Sequence, residues 1–90
     1  MDKQEKIHHL YQVITRLESQ EQCAALFEDL CTTKEIEKMA ERLQAAKLLM
    51  EGNTYSQVMA QTDISSATLI RVSRCVQYGK GYTGVLREEI

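Results

Sequence analysis

The stretch TYSQVMAQTDISSATLIRVSRCV, from Thr54 to Val76, decides how this chain folds. Thr54 followed three residues later by Gln57 is the pattern of a capped helix start, and it predicts a short helix to about Gln61. Thr62 and Asp63 read as a turn, and Ser65 caps a second helix running to about Tyr78. Two helices that cross steeply touch at few positions, and those positions must be apolar. Val58, Ile64, Leu69 and Val72 fall on them, which is the spacing of a helix-turn-helix unit. Leu69, Val72, Cys75 and Val76 are expected on the inner side of the second helix. Two residues depart from the usual pattern. Met59 stands where a small Ala is commonest, which suggests a slightly wider crossing. Asp63 stands where Gly usually makes the turn, in a left-handed backbone region that Asp tolerates better than most residues.

The second helix opens with Ser65-Ser66-Ala67-Thr68. A helix whose N-terminus enters a DNA major groove needs small or hydroxylated side chains there, because bulk would hold it out. Hydroxyls reach phosphates or base edges, and Ala can touch a thymine methyl. The candidate DNA-binding residues are therefore Ser65, Ser66, Ala67, Thr68, Ile70, Arg71, Arg74 and Lys80. Among them Arg71, Arg74 and Lys80 would meet phosphates, while Ser66, Ala67, Thr68 and Ile70 would read bases. An ordinary helix with a solvated cationic face has the same spacing, so charge distribution must separate the two. The net charge of −2 looks unfavourable for a nucleic-acid partner, but it is an average. Residues 1–63 carry 7 basic and 11 acidic side chains, whereas residues 64–87 carry Arg71, Arg74, Lys80 and Arg87 and no acidic one. The basic block coincides with the candidate reading helix and the loop after it.

Upstream, the chain reads as three amphipathic helices. With no Pro in the sequence, helix ends must come from caps and Gly. Ile7, Leu10, Tyr11, Ile14 and Leu17 form one stripe, and Ser19 followed by Gln22 resembles a capping box that starts the next helix. Cys23, Leu26, Phe27, Leu30 and Cys31 form a second stripe. Thr32 followed by Glu35 opens a third helix, with Ile36, Met39, Ala40, Leu43, Ala46 and Met50 on its apolar face, widened by Leu48 and Leu49. Gly52-Asn53 is a plausible left-handed stop. Downstream, three of the four glycines fall in Gly79–Gly84, so residues 79–90 are expected to be a loop and tail, with Val85 to Ile90 either one helical turn or frayed. No strand alternation or repeat is present. The expectation is an all-α single domain over residues 1–90, with five to six helices: dimerisation helices over 1–52 and the helix-turn-helix over 54–78.

Composition narrows the function. Ninety residues, 43% of them hydrophobic, make one domain with a thin core, so a second subunit is expected to cover exposed apolar faces. No apolar run is long enough to span a membrane, and the polar Met1-Asp2-Lys3-Gln4-Glu5-Lys6 start argues for a cytoplasmic protein. Cys23, Cys31 and Cys75 match no zinc spacing and are read as small core hydrophobes; no metal is expected. Adjacent His8 and His9 cannot both face one metal ion. Glu35, Glu37 and Glu41 read as a solvated face paired with Lys34, Lys38 and Arg42. Tyr78 and Tyr82 are read as covering the end of the reading helix. Nothing resembles a catalytic constellation, so an enzyme is not expected.

At Leu30-Cys31-Thr32-Thr33-Lys34-Glu35, at Arg42-Leu43 with Leu48-Leu49 and Gly52, and above all at Ser65-Ser66-Ala67-Thr68-Leu69-Ile70-Arg71-Val72-Ser73-Arg74, the sequence resembles the Trp repressor superfamily, more closely its YerC/YecD-like branch. The resemblance implies an intertwined helical homodimer with two reading heads on double-stranded DNA, about one DNA turn (about 34 Å) apart. It also implies a small-molecule site, matched here by Thr32, Arg42 and Arg71, in which two arginines could hold a carboxylate. The family's tryptophan-binding member has Gly after the second arginine, packed against the indole. Val72 would fill that space, and Asp29 and Cys31 alter the apolar lining, so tryptophan is not expected to bind. Apart from a small-molecule corepressor of another kind, no cofactor is implied.

The expected function is a sequence-specific DNA-binding transcriptional regulator, a repressor by resemblance, acting as a homodimer on a palindromic site. The competing reading is a helical dimer that serves as a protein-interaction module of a transcription or replication complex. Persistence of sequence-selective DNA binding at physiological salt separates them.

Overall fold

The structure is a computed structural model describing residues 1–90. It is all-helical: α1 (Lys3–Ile14), α2 (Gln20–Leu30), α3 (Thr33–Met50), α4 (Tyr55–Gln61), α5 (Ser66–Tyr78) and α6 (Gly81–Leu86), closed by a 3-10 turn over Arg87–Glu89. The chain divides into two compact units, Met1–Thr33 and Lys34–Ile90. The division falls at the start of α3 and not after it, because α3 supplies much of the apolar core of the second unit.

The N-terminal unit holds α1 and α2. Asp2 caps α1 through a reciprocal box: its carboxylate accepts from the Glu5 amide at 2.8 Å, and the Glu5 carboxylate accepts from the Asp2 amide at 3.4 Å. α1 stops at Ile14, short of the apolar stripe, where the chain tightens into Arg16 N–H to Val13 and Leu17 N–H to Ile14 bonds. Ser19 caps α2 by accepting from the Gln22 amide at 3.0 Å. The expected reciprocal bond is displaced by one residue, since the Gln22 side chain accepts from Glu18 N–H at 2.8 Å. No residue of this unit is buried; Leu10, Val13, Ile14, Leu17, Leu26 and Phe27 are half-buried, and Tyr11 and Leu30 are exposed.

The C-terminal unit contains the core: Ala45, Ala46 and Leu48 from α3, Val58 from α4, Ile64 from the turn, Leu69 and Val72 from α5, and Leu86 from α6. The buried face of α3 shares Ala46, Leu48, Leu49 and Met50 with the predicted stripe, adds Ala45, and leaves Ala40 and Leu43 out. Leu43 is 45% exposed and Ala40 is exposed, while Ala45 and Ala46 are fully covered. Small side chains let the neighbouring helices approach closely. α3 therefore carries two apolar faces, one consumed by the helix-turn-helix and one that keeps Ile36, Met39 and Leu43 partly open.

α3 ends as the Gly52-Asn53 pair predicts. Gly52 takes φ +96°, Gly52 N–H bonds Leu49 C=O at 3.0 Å, and Asn53 N–H bonds Leu48 C=O at 3.1 Å. These two bonds make a Schellman motif, and the Asn53 side-chain amide adds a second donor to the Leu48 carbonyl at 2.9 Å. A Cβ at Gly52 would meet nothing within 4 Å, so any penalty comes from the backbone conformation alone. Gly52→Ala is expected to cost about 1–2 kcal/mol in denaturant unfolding, and Gly52→Asn less.

Helix covers Gly81–Leu86 and a 3-10 turn covers Arg87–Glu89, where a loop through Gly84 was expected. α6 packs on α5, Leu86 is buried, Tyr82 packs against the core, and Lys47 Nζ lies 3.1 Å from a Glu89 carboxylate oxygen. The glycines misled because one of them serves close approach: Gly79 N–H bonds the Cys75 carbonyl at 2.8 Å, and a Cβ at Gly79 would sit 2.7 Å from that oxygen. Apolar Tyr82 and Leu86, four residues apart, supply the buried stripe of a single short helix.

Candidate DNA-reading site

α4 is seven residues long and owes its start to Thr54, whose hydroxyl accepts from Gln57 N–H at 3.2 Å while the Gln57 side chain accepts from Thr54 N–H at 2.8 Å. Loss of this cap in Thr54→Ala is expected to lower stability by about 1 kcal/mol, read as a shift of the unfolding midpoint. After α4 the chain turns through Thr62, whose hydroxyl donates to the Val58 carbonyl at 2.9 Å and accepts from Ile64 N–H at 3.4 Å. No residue other than Gly has positive φ, so Asp63 does not adopt the left-handed conformation expected of it. The extended backbone at Thr62 (φ −136°, ψ 169°) and its side-chain bonds make the turn instead. The Asp63 amide donates to the Glu41 carboxylate of α3 at 3.1 Å. Glu41 is thus more than a member of a solvated ion-pair face.

The four crossing residues lie where the spacing puts them. Val58 and Leu69 are fully buried, and Val72 and Ile64 are 2% and 8% exposed. Met59 is 42% exposed, so its bulk lies outside the crossing and does not widen it. The inner stripe of α5 is Leu69, Val72, Ser73 and Val76, an i, i+3, i+4, i+7 set. Cys75 falls off that stripe and is exposed, which corrects its assignment to the core; Cys23 and Cys31 are half-buried.

α5 begins at Ser66 after Ser65, whose hydroxyl accepts from Thr68 N–H at 3.2 Å and donates to the Thr68 hydroxyl at 2.9 Å. Ser65, Ser66, Ala67, Ile70, Arg71 and Arg74 are exposed, and Thr68 is half-buried. Ser66, Ile70 and Arg74 recur at four-residue intervals, with Ala67 and Arg71 beside them, so one face of α5 carries small, apolar and cationic groups together. Lys80 is exposed at the start of α6, its carbonyl accepting from Gly84 N–H at 3.0 Å, so the cation sits on anchored backbone. Tyr82 packs against the core, but Tyr78 is 85% exposed and does not cover the helix end.

Of the three residues assigned to a small-molecule site, Arg42 is half-buried and lines an open groove between α3 and the start of α5, with Lys38, Glu41, Asp63, Ser65 and Thr68. Arg71 is not among its walls. Thr32 belongs to the N-terminal unit. The sequence placed Thr62 in the turn and Glu41 on a solvated face, but their hydrogen bonds to the turn were not read. The Thr62 bond had a detectable signal in a hydroxyl four residues after Val58, whereas the Glu41 bond, made across 22 residues, had none.

Two short helices crossing on an apolar pin, with a capped second helix presenting a mixed cationic face, define an all-helical helix-turn-helix protein. Residues 5–90 match the family of Trp repressor proteins, and the chain belongs to that family of DNA-binding regulators. It is 43% identical to the uncharacterized protein YerC of Bacillus subtilis (strain 168) over 74 residues, 82% of this chain and 71% of that one. Its fold is similar to a crystal structure from Staphylococcus aureus provisionally described as a Trp repressor, with TM-score 0.87, 36% identity, and coverage of 99% of this chain and 95% of that one. It is also similar to a TrpR like protein from Eubacterium eligens ATCC 27750, with TM-score 0.89, 35% identity, and coverage of 97% and 91%. No helix is long and apolar enough to cross a membrane.

Proposed function

We propose that this protein is a homodimeric, sequence-specific DNA-binding transcriptional regulator whose paired α5 helices enter successive major grooves of a palindromic site. The observation that carries the reading is the outward face of α5: Ser66, Ala67, Ile70, Arg71 and Arg74 are exposed together while Leu69 and Val72 behind them are buried. Arg71, Arg74 and Lys80 contact phosphates, and Ser66, Ala67, Thr68 and Ile70 discriminate bases. Repression results if the site overlaps a promoter. The dimer is supported by the N-terminal unit, where two amphipathic helices bury no residue, and by the partly open Ile36–Met39–Leu43 face of α3. Apolar stripes of that extent are stable in water when a second copy covers them.

Tryptophan is not the effector on this reading. Val72 is β-branched and 2% exposed, in the position that the family resemblance gives to the residue against the indole. Binding-site selection from random duplex DNA, run with the purified protein in the presence and absence of tryptophan, tests these points together. The expected product is one site with two-fold symmetry, half-sites about 10 base pairs apart, and no change on adding tryptophan. An asymmetric site would overturn the dimer, and a tryptophan-dependent site would overturn the assignment of Val72.

A further inference from the structure

We infer that Glu41 is a positioning residue for the DNA-reading helix. The inference rests on the DNA-binding reading of α5. Glu41 lies on α3, and its carboxylate accepts the backbone N–H of Asp63 at 3.1 Å. This bond spans 22 residues, whereas the side-chain bonds at the helix caps and at Thr62 link residues no more than five apart. It acts at the turn between α4 and α5, one residue before buried Ile64 and two before Ser65, the cap of α5. The turn is therefore held to the body of the unit twice, by the apolar side chain of Ile64 and by the amide of Asp63. Since Asp63 has no left-handed conformation to lock the turn, the orientation of the first turn of α5 depends on this outside partner. That first turn carries Ser66, Ala67 and Thr68, the groups that would read bases.

Electrostatics separates this role from that of an ordinary surface carboxylate. A carboxylate near a DNA-facing helix start opposes phosphate, so a surface Glu with no structural part would, when removed, tighten binding to all DNA. A positioning Glu behaves differently. Glu41→Gln keeps an oxygen acceptor for the Asp63 amide and loses the charge, whereas Glu41→Ala loses both.

The test measures the affinity of the full chain, wild type and both variants, for the selected duplex and for a scrambled duplex at one salt concentration. Glu41→Gln should retain the wild-type ratio of the two affinities. Glu41→Ala should lose about fivefold or more of that ratio, with scrambled-duplex binding unchanged or tighter. Equal ratios in both variants would overturn the proposal. Amide hydrogen exchange at Asp63 in the free protein gives a readout without DNA: faster in Glu41→Ala than in Glu41→Gln and wild type. Equal exchange in all three would overturn the tie itself. If the wild type does not discriminate between the duplexes, the functional reading fails, while the exchange comparison still decides whether Glu41 holds the turn.

Discussion

Leu69→Ala should remove a large share of the stability of the C-terminal unit, about 2–5 kcal/mol in denaturant unfolding. Leu69 is fully buried and sits where α5 meets the core residues of α3 and α4. Truncation leaves a cavity in the core that holds Val58, Ala45 and Ala46, and the two alanines have no long side chain with which to fill it. Native domains are stable by only about 5–15 kcal/mol, so the variant approaches the unfolding threshold. The control is the adjacent residue. Ile70 is 47% exposed, so Ile70→Ala should cost less than about 1 kcal/mol while altering which DNA sequence is preferred. Similar stability losses at the two positions would mean that α5 is rotated from this orientation.

The double variant Arg71→Ala/Arg74→Ala should largely abolish DNA binding without unfolding the protein. Both side chains are exposed on the outward face of α5, so their removal leaves the core intact. In a dimer four cations are lost. The dependence of log affinity on log salt should become shallower by about 3–4, near 0.9 for each phosphate contact. The loss should be close to uniform across sequences, because phosphate contacts position the helix without reading it. Ala67 and Ile70 variants should do the reverse, changing preference more than overall affinity. A sequence-dependent loss in the arginine variant would move Arg71 or Arg74 from the phosphates to the base edges.

The helix-turn-helix was readable from sequence because its determinants are local. Thr54 with Gln57, Ser65 with Thr68, and the apolar set Val58, Ile64, Leu69 and Val72 all fall within one short stretch. The Gly52 stop was readable for the same reason. What escaped depended on distant partners. The buried face of α3 is chosen by what packs on it, and with apolar residues on two faces the sequence could not say that Ala45 would be covered along with Ala46 while Ala40 and Leu43 stayed exposed. The helix over Gly81–Leu86 was hidden by its glycines, whose composition outweighed the weak Tyr82–Leu86 stripe. For the candidate site, the outward placement of Ser66, Ala67, Ile70, Arg71 and Arg74 was legible in the helical period, but the carboxylate bonded to the Asp63 amide was not. Asp63 shows why: its amide meets a carboxylate 22 residues away, a partner that no local pattern names.

On the proposed function, α5 reads DNA sequence. The deciding experiment is an equilibrium titration of the protein, at physiological salt, against the duplex recovered by site selection and against a scrambled duplex of the same composition. Binding to the selected duplex should be tighter by a factor of about 10³ or more, with two protein chains bound per duplex. Equal affinity for the two duplexes would contradict the claim and would favour a helical dimer whose partners are proteins.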